Sequence, residues 1–128
     1  MSVVVKLPWA PSSNGYWRAY QGRQILSKKA REYRKDVGKH FMIAKIRRML
    51  GPLKVKLWLQ PPDKRRRDVD NYSKSTLDAL THAGAWDDDS QIMHLSIAMC
   101  EPVKWGQITV EVEELTADDL NRMREKGL

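Results

Sequence analysis

The sequence predicts an α+β fold, one small domain over residues 1–128 in which a mixed β-sheet packs against two main helices. Three observations carry this. Several short runs alternate apolar and polar residues with a period of two, the mark of half-buried strands. Two longer runs repeat apolar residues at steps of three and four, the mark of helices with one buried face. The elements follow the order strand, helix, strand, helix, strand, strand, helix, which mixes crossover and hairpin connections.

Ser2 to Leu7 is a β-branched run that predicts the first strand. Pro8, Pro11 and the run Ser12, Ser13, Asn14, Gly15 end it in a turn-rich loop. Tyr16, Trp17, Arg18 and Tyr20 follow. Aromatics interleaved with arginine either stack on bases and neutralise phosphate or cover an edge of the core; Trp17 reads as core and Arg18 as a DNA contact. A brief strand is expected from Arg23 to Leu26. Ser27 offers a hydroxyl to cap a helix. Ala30, Tyr33, Val37, Phe41 and Ala44 then share one face, predicting an amphipathic helix to about Met49 that Gly51 and Pro52 stop. Its cationic outer face reads as solvated.

Leu53, Val55, Leu57 and Leu59 alternate with Lys54, Lys56, Trp58 and Gln60 in the clearest strand of the chain, ended by Pro61 and Pro62. Tyr72, Thr76, Leu77, Leu80 and Ala83 mark one face of a second helix from about Asn71 to Ala83, closed by Gly84. Asn71, Lys74 and Asp78 share another face. Met93, Leu95, Ile97 and Met99 form one further strand; Ile108, Val110 and Val112 form the last. These two are expected to pair as a hairpin. Thr116 and Asp119 resemble a capping box for a short final helix to about Lys126.

Lys and Arg number 23 against 16 Asp and Glu, a formal charge of +7, and this balance points to an acidic partner with nucleic acid first. The single cysteine, Cys100, forms no internal disulfide and no zinc cluster, which fits the reducing cytoplasm. No run approaches the roughly 20 apolar residues of a membrane span. The first six residues are too short and too early charged for a signal peptide, so neither export nor a membrane is expected.

Within this basic chain, carboxylates gather. Lys64, Arg65, Arg66 and Arg67 lead directly into Asp68, Asp70 and Asn71, and Asp87, Asp88 and Asp89 follow downstream. Like charges placed together repel and raise each other's pKa, a cost that a divalent cation removes. On an extended segment Asp68 and Asp70 point the same way. Mg²⁺ keeps several waters, so two or three carboxylates suffice. The downstream turn supplies the missing ligand only if the strand after it runs alongside the Asp68 segment, because a helix of about 13 residues separates the two by roughly 20 Å. Lys74 then stabilises charge on a phosphate or steadies an attacking water, and Asn71 bonds a phosphate oxygen or a metal-bound water. Arg65, Arg66 and Arg67 draw in the DNA backbone.

Each residue also has a plain structural reading. Asp70 immediately precedes a helix and serves as an N-cap; Asp68 pairs with the arginines; Asp87, Asp88 and Asp89 form an ordinary polar turn. Lys74 on a helix face is ordinarily solvated. His40, His82 and His94 lack ligand spacing.

Pro62 through Asn71, then Lys74, then Leu77, Asp78 and Leu80, then Ala83, Gly84, Trp86, Asp88, Asp89 and Gln91 resemble the RusA family of Holliday junction resolvases. Leu7, Pro8, Pro11, Asn14, Tyr16, Arg18 and Ser27 fit as well, so the resemblance covers most of the chain. It implies a RusA-like domain and a homodimeric, Mg²⁺-dependent endonuclease, with Mn²⁺ able to substitute. Such an enzyme cuts two symmetric strands of a four-way DNA junction in recombination and repair. Carried over by position, the essential acids are Asp68, Asp70 and Asp89, with Asp88 a supporting metal ligand and Lys74 the catalytic or DNA-positioning lysine. Asp87 stands where the family pattern has an apolar residue, and His82 and Ala85 replace larger or more basic ones. Two other functions remain open on the sequence: a metal-dependent nuclease of other branched or single-stranded nucleic acid, and a non-catalytic basic DNA-binding protein.

Overall fold

The computed structural model describes residues 2–127. Along the chain run β1 (Ser2–Leu7), a single helical turn α1 (Ser13–Tyr16), β2 (Trp17–Tyr20), β3 (Arg23–Leu26), α2 (Lys28–Ala44), β4 (Leu53–Gln60), α3 (Ser73–Ala83), β5 (Ile92–Met99), β6 (Gln107–Glu114) and α4 (Ala117–Gly127). Tight 3₁₀ turns at Val69–Asn71 and Asp89–Gln91 precede α3 and β5. The sheet is mixed, in the order β1-β6-β4-β5.

β4 is central because its inward residues demand cover on both sides. Leu53, Val55, Leu57 and Leu59 are all buried beneath the helices. β6 pairs antiparallel on one flank, from Leu53 opposite Glu114 to Gln60 opposite Gln107. β5 pairs parallel on the other, with Val55 opposite Leu95 and Leu59 opposite Met99. The expected hairpin of the last two strands is therefore not formed, since β4 lies between them. The segment joining them instead crosses the end of β4. It is fastened there by Cys100 N–H donating to the Leu59 carbonyl at 2.7 Å and Val103 N–H to the Pro61 carbonyl at 2.9 Å. The alternation in β5 and β6 located both strands but carried no information about which neighbour each would take.

α2 starts as expected, with the Ser27 hydroxyl accepting the Ala30 N–H at 3.1 Å. It buries Ala30, Tyr33, Val37 and Phe41 but ends at Ala44 rather than near Met49. The apolar stripe stops there, because its next positions are Lys45 and Arg48, so no further turn is held to the core. Lys45 takes a left-handed conformation (φ 53°), and the chain leaves the helix so that Met49, 1% exposed, plugs the core. The Met49 N–H donates to the Ala85 carbonyl at 2.8 Å. α3 closes at Gly84 in the left-handed region (φ 91°), where glycine carries no steric penalty.

Sequence reading missed β2, which pairs with β3 around Gln21 and Gly22. Both of these residues have positive φ (49° and 74°), the backbone of a two-residue hairpin turn. The hairpin and α1 are tied to the body by one polar network. The Arg34 guanidinium grips the Asp78 carboxylate through Nε (2.9 Å) and Nη2 (3.1 Å), and the Tyr16 hydroxyl donates to the same carboxylate. Burial, and then the adjacent Asp78 carboxylate, push the Tyr16 phenol up from its ordinary value, so it stays a donor. This network joins α1, α2 and α3.

One glycine fixes how the N-terminal loop meets the end of the sheet. Gly106 has φ 74°, and a Cβ there would stand 2.8 Å from Cβ of Trp9. Trp9 in turn packs on Tyr72, ring centroids 4.7 Å apart. Gly106→Ala is expected to cost about 1–3 kcal/mol through backbone strain and overpacking. Urea denaturation checks this, and an unchanged midpoint would show that the contact yields freely.

Candidate active site

β4 delivers the chain into the basic loop, and Asp63 organises it. Its carboxylate accepts the Arg65 N–H at 2.9 Å and pairs with Arg67 Nη2 at 2.9 Å. The backbone bond from Arg65, then the Arg67 guanidinium, hold Asp63 below its ordinary pKa. Arg67 also donates to the Asp63 and Arg65 carbonyls and lies over the Trp9 ring at 5.7 Å. Its side chain is only 12% exposed. Arg67, expected from the sequence to contact DNA, is half-buried and shapes the loop through these contacts. Arg65 and Arg66 remain on the surface.

Asp68 is extended (φ −81°, ψ 133°), but Asp70 sits inside the Val69–Asn71 turn. Because the chain is not extended through both acids, strand alternation does not put their side chains on one side as expected. The alternative roles for these acids are also absent. Asp68 makes no side-chain cap, and α3 is preceded by Tyr72 rather than capped by Asp70. The arginines find their acid in Asp63. Both carboxylates are exposed and, among the described residues, accept no hydrogen bond and form no ion pair. Asn71 is half-buried, and its carbonyl accepts the Ser13 hydroxyl at 3.2 Å. Lys74, on the first turn of α3, extends its Nζ to 5.9 Å from the Trp17 ring centroid. Arg18 lies on the exposed hairpin, 5.8 Å from the Tyr20 ring.

The downstream acids have three different fates. Asp87 pairs with Arg48 at 2.6 Å. Asp88 caps the Asp89–Gln91 turn by accepting the Ser90 N–H, and these Ser90 contacts hold its pKa down. Gln91 completes the capping box: its Oε1 accepts the Asp87 and Asp88 N–H groups, and its Nε2 donates to the Gly51 carbonyl at 2.9 Å. Trp86, 1% exposed, braces the turn from inside and donates to Thr81 Oγ1 at 2.6 Å. Among the described residues, Asp89 alone of the three has a carboxylate without a partner. The Asp–x–x–Gln spacing is the sequence signal of that capping box, whereas the Arg48 partner carries no local signal.

α3 keeps the two free-acid segments apart. The basic loop that leads into Asp68 borders one cleft with Met99, Cys100 and Pro102 at the far end of β5, whereas Asp89 stands at its beginning. The 11 residues of α3 span roughly 16 Å. Among the described residues, no three acids, histidines or cysteines converge on one point within the chain. The donors themselves suit a hard divalent cation: carboxylate oxygens, exposed and without competing cations.

Free carboxylates next to exposed arginines and a helix-borne lysine, on an α+β scaffold, define a protein equipped to meet a phosphodiester backbone. A family model described as Endodeoxyribonuclease RusA matches residues 8–113. The chain is 36% identical over 112 residues to the crossover junction endodeoxyribonuclease RusA of Escherichia coli (strain K12), covering 87% of this chain and 93% of that protein. It has the same identity and coverage with the RusA protein of Shigella sonnei (strain Ss046), and is 35% identical over 112 residues to that of Enterobacteria phage 82. The chain belongs to the RusA family. Among the described residues, no helix is long and apolar enough to cross a membrane.

The contrast between neighbouring acids has a direct consequence. Asp88→Ala is expected to lower the melting temperature by removing the cap, while Asp89→Ala leaves it near the wild-type value. Thermal unfolding followed by circular dichroism checks both. A larger loss for Asp89→Ala would show that its carboxylate holds the fold.

Proposed function

We propose that the protein is a Mg²⁺-dependent endodeoxyribonuclease that resolves four-way DNA junctions by paired symmetric nicks, acting in the cytoplasm as a homodimer. One observation carries the reading. In the two acidic segments of a RusA-family chain, the carboxylates without partners among the described residues are Asp68, Asp70 and Asp89, and two of them share one segment of the chain with Lys74 and the exposed Arg65 and Arg66.

Separation within one chain becomes convergence in a dimer of suitable symmetry. β5 is an edge strand of eight residues with Met93, Leu95 and Met99 exposed. Such an edge invites pairing with another chain. An isologous pair of β5 strands is antiparallel, so the start of one lies beside the end of the other. Asp89 of the partner subunit would then approach Asp68 and Asp70, giving two identical sites for a junction that is itself close to two-fold symmetric.

Asp68, Asp70 and the partner's Asp89 would hold the metal, with Asp88 keeping that turn in shape; Mn²⁺ has the same oxygen preference. A divalent cation there supplies charge neutralisation at the phosphate and a more acidic water. Lys74 brings its ammonium to the charge that develops on the phosphate. Asn71 donates its amide to a phosphate oxygen, and Arg65, Arg66 and Arg18 attract the backbone from either side. The Arg34–Asp78–Tyr16 network holds α1 and the hairpin in place beside Lys74.

Cleavage of synthetic four-way, duplex and single-stranded DNA, with and without Mg²⁺, tests the function. Asp70→Asn should retain junction binding and lose cutting by at least about a hundredfold. Retained cutting, or loss of binding by a folded variant, would count against the assignment. Arg66→Ala should weaken binding and reduce the salt slope by about one unit; an unchanged slope would take the loop out of the DNA path.

A further inference from the structure

Next to Lys74, α1 and the β2–β3 hairpin border an open cleft of about 490 Å³, lined by Ser13, Asn14, Trp17, Ala19, Gln24 and Lys74. Only Lys74 takes part in the cleavage reading above. The volume is that of a small-molecule site, and the lining combines an aromatic ring, two carboxamides and one ammonium. Among the described residues, neither Asn14 nor Gln24 has its side-chain amide engaged in a hydrogen bond.

Two contacts tie this cleft to the acid pair. Ser13 donates to the Asn71 carbonyl at 3.2 Å, which ties the cleft wall to the Val69–Asn71 turn. Lys74 Nζ stands 5.9 Å from the Trp17 ring centroid, so a phosphate bound by Lys74 brings its own nucleotide to the cleft mouth. Trp17 is firmly set. The Tyr16 ring meets it edge-on at 5.3 Å, and its Nε1 is buried with no acceptor among the described residues. Trp17 is half-buried, and its uncovered surface lines the cleft. Asn and Gln carboxamides each present a donor and an acceptor, the pair needed to read the edge of a base.

We propose that the cleft is a subsite for one unstacked nucleobase beside the scissile phosphate, packed against Trp17 and read at its edge by Asn14 and Gln24. The identity of the nucleotide flanking the cut is selected there. The proposal rests on the nuclease reading above and adds to it a specificity-determining pocket. Enzymes that engage single bases commonly draw them out of the stack into such a site.

The test is a set of four-way junctions carrying each of the four nucleotides in turn at the two positions flanking the cut, cleaved by the full-length protein with Mg²⁺. Wild type should cut the most favoured junction about tenfold faster than the least favoured. An abasic residue in place of the favoured nucleotide should slow cutting by about tenfold. Asn14→Ala and Gln24→Ala should lose most on the favoured sequence, narrowing the spread to about twofold. That spread is a ratio within each preparation, so a reduced active fraction does not move it. Equal cutting of all sequences by wild type, or an unchanged spread in both variants, overturns the proposal and leaves the nuclease reading intact. Absence of cutting on every junction overturns the nuclease reading itself.

Discussion

The parallel pairing of β4 with β5 is the constraint from which the arrangement of the candidate site follows. Parallel neighbours cannot be joined by a tight turn, so the chain must travel back before it re-enters the sheet. α3 makes that return journey, buried on a wide face through Ser75, Thr76, Leu77, Ala79 and Leu80. Whatever immediately precedes α3 therefore lies at one end of the sheet, and whatever follows it lies at the other. The free acids fall on both sides of this division, and no side-chain rotation within one chain closes a gap of helix length.

Which acids are free is decided by local chemistry. The chain is strongly basic, and most carboxylates near the basic segments are engaged. Asp63 holds the arginine loop, Asp78 locks three helices through Arg34 and Tyr16, Asp87 meets Arg48, and Asp88 caps a turn. Asp68, Asp70 and Asp89 are passed over by these interactions although cations lie close in sequence. Exposed carboxylates held at the ends of rigid elements, and not neutralised from within, retain their full affinity for a cation brought from solution.

Much of this was legible in the chain. Alternation through residues 53–60 and 93–99, the helical stripe from Ala30 to Ala44 and the glycine at 84 each express a local rule, and each element formed. Strand order was not legible, because Leu95 and Val110 alternate equally well whichever neighbour they take. The end of α2 was readable in principle, since Lys45 and Arg48 break the stripe, but Gly51 and Pro52 gave a louder signal. Asp68, Asp70, Asp89 and Lys74 were candidates on sequence alone, yet their distribution over two ends of the sheet required the β4–β5 pairing. The roles of Arg67, Arg48 and the Trp17 cleft depend on contacts between residues far apart in the chain, which composition and periodicity do not encode.

Mixing two inactive variants separates the alternatives most directly. Asp70→Asn and Asp89→Asn proteins are each expected to be inactive alone. If a site draws Asp70 from one subunit and Asp89 from the other, a mixed dimer contains one intact site and one doubly altered site. Unfolding and refolding the two variants together should then restore nicking of a single strand of a four-way junction. A mixture as inactive as its components, with mixed dimers present, would contradict a site shared between subunits.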